Sequence, residues 1–280
     1  MREAGIDRKW VGALALGCVL LTLVFIAHGF PYGALAVRTV AALERSTGGH
    51  LEYANFRSVF GWAGPTLQWQ DVVYRDPAGN QFAFDRVNVC AGWSLDWFAG
   101  TPVLHVELTG PDGRIAGLAR GGAEPSFDGT LDQVDLEAIP SGWLGPQILV
   151  TGRVDGEVDV RVGPLRPAGT VRVQGRDGSL GGGPLNIGIP FDELVAHVSL
   201  GGEHHAQVET FHLKGPLLEA DVTGTVGDAP TVHEAPLDLV AEINADAAML
   251  HALEELGFGS LSAGASTLTI TGTASSPKVR

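Results

Sequence analysis

The sequence predicts a mainly β protein carried on one N-terminal membrane helix. Three observations point there. The run from Trp10 to Ala27 holds no charged residue. After Gly49 the apolar spacing changes from a helical period to alternation, the mark of half-buried strands. Gly occurs 39 times and Pro 16 times, which suits many turns and short strands better than a helical bundle.

At 1.5 Å per residue the run Trp10–Ala27 covers ~27 Å as a helix. That is close to a hydrocarbon core of about 30 Å. The predicted anchor side chains are Trp10, Leu14, Leu16, Leu20, Leu21, Leu23, Phe25 and Ile26. Pro31 stops the helix, and Trp10 and Tyr32 bracket it as interfacial aromatics do. Arg2, Arg8 and Lys9 precede the run, whereas Arg38 and Arg45 follow at a distance. That bias places the N-terminus in the cytoplasm and the bulk of the chain outside it. Three rivals exist. A cleaved signal peptide has a shorter apolar core, although Ala34-Leu35-Ala36 would offer a small-x-small site. A lipoprotein signal would lipidate Cys18, but Ala15-Leu16-Gly17 lacks the expected Leu and the apolar run continues past the cysteine. A buried core helix would be out of place at the head of a β-patterned chain.

The next segment, Gly33 to Thr47, has the spacing of a short helix that Gly48-Gly49 stops. The chain therefore divides into residues 1–31 (tail and anchor), 32–49 (juxtamembrane helix) and 50–280 (a β-rich domain). In the last, Leu51 and Tyr53 alternate with polar residues. So do Leu67, Trp69 and Val73, then Phe82 and Phe84, with Val87 and Val89 beyond. Asp76-Pro77-Ala78-Gly79-Asn80 is a turn. Leu104, Val106 and Leu108 lead into Gly110-Pro111-Asp112-Gly113, where Pro suits the first corner and Gly113 a left-handed position, and Ile115–Ala119 returns.

Ile148 to Val162 gives the clearest strand. Val150, Val154, Val158, Val160 and Val162 fall on one face and Arg153, Asp155, Glu157, Asp159 and Arg161 on the other. Asp155-Gly156 invites a two-residue hairpin. That register would pair Val154 with Glu157 and Val150 with Arg161, putting charges on the apolar face. One long strand, or a three-residue loop, keeps the faces apart, and the pattern favours the long strand. Further strands are predicted at Ala168–Gln174, Glu193–Leu200, Gln207–Leu213, Leu218–Val226, Leu237–Ile243 and Ser266–Thr273, and a helix at Asp246–Leu256 with Asp246 as N-cap.

The net charge of −14 opposes binding to nucleic acid, and no basic stretch interleaves with aromatics. Cys18 and Cys90 are read as two small buried hydrophobes and form no disulfide framework. Glu203-His204-His205 and His212 form the one histidine cluster. Eight residues of extended chain separate His204 from His212 by ~26 Å, too far to share a metal. Gly181-Gly182-Gly183-Pro184 lacks both the Gly-Lys-Ser/Thr ending and the GxGxxG spacing of a phosphate cradle, and no GxSxG elbow occurs. No catalytic, cofactor or metal residue is predicted, and the expectation is a non-enzyme.

The order of several loose motifs resembles the GspN family of type II secretion proteins, of the deltaproteobacterial kind. They are the anchor ending in Phe30-Pro31, the helix to Gly48, Gly64-Pro65-Thr66-Leu67, Gly121-Gly122 and Gly152-Arg153-Val154-Asp155-Gly156. The closing Thr271-Gly272-Thr273-Ala274-Ser275-Ser276-Pro277 resembles strand endings of AsmA-like β-groove proteins. The resemblance implies a single-pass inner-membrane protein with a periplasmic domain built as an extended, curved, antiparallel-rich sheet, either a groove or a partly closed barrel or sandwich. It implies two alternative roles: contacts with other secretion components, or an apolar lining that holds lipid acyl chains.

Overall fold

The computed structural model describes residues 16–22, 29, 31–61, 64–92, 94, 96, 100–138, 148–163, 166–182, 185–202, 205–229, 234–246, 249–251, 264–273 and 275–280. Helix α1 (Tyr32–Thr47) precedes fourteen strands. They are β1 (His50–Gly61), β2 (Gly64–Arg75), β3 (Gln81–Ala91), β4 (Val103–Gly110), β5 (Gly113–Arg120), β6 (Ser126–Asp135) and β7 (Ile148–Val162). Then come β8 (Pro167–Gly182), β9 (Leu185–Leu200), β10 (Ala206–Lys214), β11 (Leu218–Val226), β12 (Pro236–Ala245), β13 (Gly264–Thr273) and β14 (Ser276–Val279).

Each strand pairs antiparallel with its neighbours in sequence, so the spatial order is the chain order from β1 to β14. The result is one open sheet. The barrel and sandwich alternatives fall away, because β1 and β14 remain its two edges and all fourteen strands belong to the same sheet. The chain exposes 17515 Å². A compact protein of 29.3 kDa would expose about 11,500 Å². The excess is what a sheet with little packed against it would leave.

Among the described residues no helix is long and apolar enough to cross a membrane. Of the expected anchor residues, Trp10, Leu14, Leu23, Phe25 and Ile26 lie outside the described residues. Leu16, Leu20 and Leu21 stand on the helical stretch 16–22 and are 62%, 54% and 71% exposed. Cys18, on the same stretch, is exposed rather than buried, while Cys90 is half-buried in β3.

Tyr32, Ala36 and Val40 recur every four residues and lay one stripe of α1 on the sheet. Gly48 ends the helix at φ 70°, and its N–H donates to the Glu44 carbonyl at 2.8 Å. The Glu44 carboxylate then accepts the Leu51 N–H at 3.0 Å and lies 2.6 Å from His50 Nδ1. These bonds, the Leu51 N–H first, hold its pKa below the usual carboxylate value. They tie the end of α1 to the start of β1.

The strand Ile148–Val162 is uninterrupted, and Gly110 pairs with Gly113 across a two-residue turn, with Gly113 at φ 117°. Strands β6 and β14 escape the sequence reading, and β8 and β9 are longer than it allows. Bulges explain most of this. In β8, Asp177 (φ 53°) and Gly178 face the single Gly152 of β7. In β6, Asp132 and Gln133 (φ 50°) face Asp155. An inserted residue reverses the alternation beyond it. On β8 the apolar-face positions thus change from Val171 and Val173 to Gly178 and Leu180. In β2 the apolar-face positions also change, from Leu67 and Trp69 to Val72, about Asp71 at φ 51°, but there the register with β1 and β3 does not shift.

Candidate functional site: the apolar face of the sheet

Residues directly opposed in an antiparallel pair point to the same face, so the register identifies what each face presents. One row crosses the whole sheet. It runs Ser58, Leu67, Val89, Val106, Gly117, Gly129 and Val158 from β1 to β7. It continues as Val171, Val198, Val208, Gly224, Leu239, Ile270 and Val279 to β14. After Ser58 every position is Leu, Ile, Val or Gly. The parallel row two residues away begins at Phe56, Trp69, Val87, Leu108, Ile115 and Leu131, and it too stays free of polar side chains through Leu268 of β13.

The row between them is polar. Arg57 Nε donates to Gln68 Oε1, Gln68 Nε2 to Asn88 Oδ1 at 2.7 Å, and Asn88 Nδ2 to Glu107 Oε2 at 3.1 Å. Arg114 Nε closes the chain on Glu107 Oε1 at 2.8 Å. The Asn88 bond first, and then Arg114, lower the Glu107 pKa. This ladder ties five strands together on the face opposite the apolar rows. A cleft of about 910 Å³ opens on that face among His105, Glu107, Arg114, Asp128, Glu157, Asp159 and Arg172. Its Glu107 and Glu157 pair with Arg114 and Arg172, at 2.7 and 3.8 Å.

The apolar face is covered unevenly. At the β1–β3 end, α1 buries Tyr32 and Ala36 against Leu67, Trp69 and Val72. The rings of Phe56 and Trp69 meet at 5.5 Å. Trp69 Nε1 is buried there without a hydrogen-bond partner, a cost of about 1–3 kcal/mol for an indole N–H. Further along, Ile189, Phe191, Leu194, Leu213, Leu218 and Ala220 pack under Met249. Asp246 positions Met249 as an N-cap, its Oδ1 accepting the Met249 N–H at 2.7 Å. Residues 252–256 of the expected helix lie outside the described residues. Between these clusters neither includes a residue of β4–β7. There Val106, Leu108, Ile115, Leu131 and Val158 are only half-buried, while Val154 of β7 is 3% exposed. Phe127 spreads its ring over Gly117 and Gly129, where a Cβ would meet it at 2.9 and 2.6 Å.

Of the valines singled out from sequence, Val154 is 3% exposed, and Val150, Val158 and Val160 are half-buried. Val162 departs from its expected interior position. It is 55% exposed, because it closes β7 at the rim of the sheet. Arg153, Asp155, Glu157, Asp159 and Arg161 are all exposed. Only His205 and His212 of the histidine cluster are among the described residues. His212 faces Asp221 across β10 and β11, with Nδ1 2.7 Å from Oδ1. Among the described residues no three His, Cys, Asp or Glu side chains are grouped to hold a metal.

Reading along the chain misses the full extent of the apolar face. Its glycines contribute no hydrophobic signal, and the bulges break the alternation that would extend each strand. No protein-family model, curated protein or solved structure matches this chain.

Proposed function

We propose that this chain is a membrane-anchored, non-catalytic β-groove protein that holds lipid acyl chains against the apolar face of its sheet. One observation carries the reading: an apolar row runs from β2 to β14, and over β4–β7 most of its side chains stay half-buried and outside both packed clusters. A sheet that existed to build its own core would cover that face, because each exposed apolar Å² forfeits about 25 cal/mol. Acyl chains satisfy the same surface without needing hydrogen bonds. The twist natural to a long antiparallel sheet and the bulges in β6, β8 and β10 support curvature of the sheet.

The proposal includes a single-pass anchor at Trp10–Ala27 in a bacterial inner membrane, the N-terminus in the cytoplasm and the sheet in the periplasm. Nine of the exposed large hydrophobic side chains, Leu16 to Phe60, lie in the first 60 residues of the chain, which supports an apolar environment at that end. A second reading, contact with type II secretion components, is favoured by the twelve-residue strand β1, which forms an edge of the sheet where a partner strand could add.

The test is purification of the full chain from membranes in mild detergent, followed by lipid extraction and a thermal melt. Wild type is expected to carry phospholipid. Val158→Asp is expected to melt as wild type does, since the new carboxylate reaches water in an empty trough, and to lose the lipid. A collapse of the melt would mean a closed core instead. Wild-type protein free of lipid would refute acyl-chain binding.

A further inference from the structure

We infer that the end of the sheet formed by Val59 and Phe60 of β1 and by the first turn of α1 sits in the headgroup region of a lipid bilayer. This rests on the proposed membrane anchor and goes beyond it, because the anchor alone leaves the orientation of the sheet free.

The rings of Tyr32 and Phe60 meet edge to face at 5.6 Å, which fixes the start of α1 beside the far end of β1. The other end of α1 is fixed to the near end of β1 by Glu44 and Leu51. Helix and strand therefore run antiparallel, and one end of the pair is defined by Tyr32 and Phe60. Around that end Leu35, Val59 and Phe60 are 40%, 43% and 44% exposed, each large and apolar.

Tether length supplies the second argument. Five residue steps separate Ala27, the last residue of the charge-free run, from Tyr32. Even fully extended they reach no further than about 18 Å. With the run in the hydrocarbon core, Tyr32 and the Phe60 ring against it are held at the interface, and the opposite end of β1 is directed away.

Charge supplies the third. Residues 32–49, which follow the anchor, hold Arg38, Arg45 and Glu44, a balance of +1, whereas residues 50–280 carry −16. Arg38 and Arg45 lie exposed on α1. An anionic leaflet therefore repels most of the sheet and attracts the α1 end.

The experiment uses the full chain with Cys18→Ser and Cys90→Ser, reconstituted into vesicles of three parts phosphatidylethanolamine to one part phosphatidylglycerol. A polarity-sensitive fluorophore is attached at Phe60→Cys, at Val59→Cys, or at Pro77→Cys in the turn at the opposite end of β2. Labels at 59 and 60 are expected to emit to the blue of the label at 77 and to be quenched by headgroup spin-labelled lipid, whereas the label at 77 is not. Flotation of the same vesicles separates the two ideas. Protein that fails to float refutes the anchor. Protein that floats with unquenched, water-like emission at both 59 and 60 overturns the proposed contact while leaving the anchor standing.

Discussion

The region around β8–β11 and the region β4–β7 belong to one sheet and share its apolar rows, yet they are stabilised differently. In the first, Phe191 and Leu213 are 2% and 1% exposed and pack under Met249. In the second, Leu108, Ile115, Leu131 and Val158 are only half-buried and belong to neither packed cluster. Hydrophobic burial is roughly proportional to area removed from water. The packed region therefore supplies folding stability, while the bare region keeps apolar surface that a ligand can still bury. The lesson is that an apolar pattern fixes which face is apolar but not what it will be buried against.

Truncation at the packed end should give the largest effect. Phe191→Ala should cost about 3–5 kcal/mol, read as a loss in the urea midpoint. A loss under ~1 kcal/mol would show that this cluster is no core. The matching change in the bare region is smaller. Leu131→Ala should cost on the order of 1 kcal/mol, because the side chain is only half withdrawn from water. Equal losses at 131 and 191 would erase the contrast and point to a covering layer over β4–β7. The smallest effect concerns the polar face behind the bare region. Glu107 has its pKa lowered from the usual 4.5. Its bonds thus add stability above the unfolded-state pKa, and that contribution is lost as pH falls through the lowered folded value. Glu107→Gln should be slightly less stable than wild type near neutrality, and the gap should close in acid. A gap that widens in acid would reverse the assignment.

Much of the sheet can be read from the chain. Valines at every second position of β7, with Arg, Asp and Glu between them, leave one long strand as the arrangement that segregates charge. Gly110 and Gly113 bound a hairpin because only a tight turn joins two alternating runs so close together. β6 is less legible. Its apolar face uses Gly129, and Gln133 inserts before Val134, so no run of alternation is long enough to notice. β14 spans four residues and contains Pro277, and it forms only because β13 offers an edge. The candidate site was half legible: Val154 and Val158 were placed on the apolar face, but its continuation through Val106, Val198 and Leu239 requires knowing which strand lies beside which.

The sequence by itself determined that the protein is mainly β, where α1 stops, and which residues of each long strand share a face, because helical and extended backbones impose periods that side-chain order must follow. The tertiary structure alone decided that the strands form one open sheet in chain order, that the alternation reverses about Asp71, Gln133 and Asp177 to keep one face apolar, and that among the described residues this face is packed into clusters at two places and largely half-buried between them. These depend on register and on contacts between residues far apart in the chain, and a local pattern carries no information about its partners.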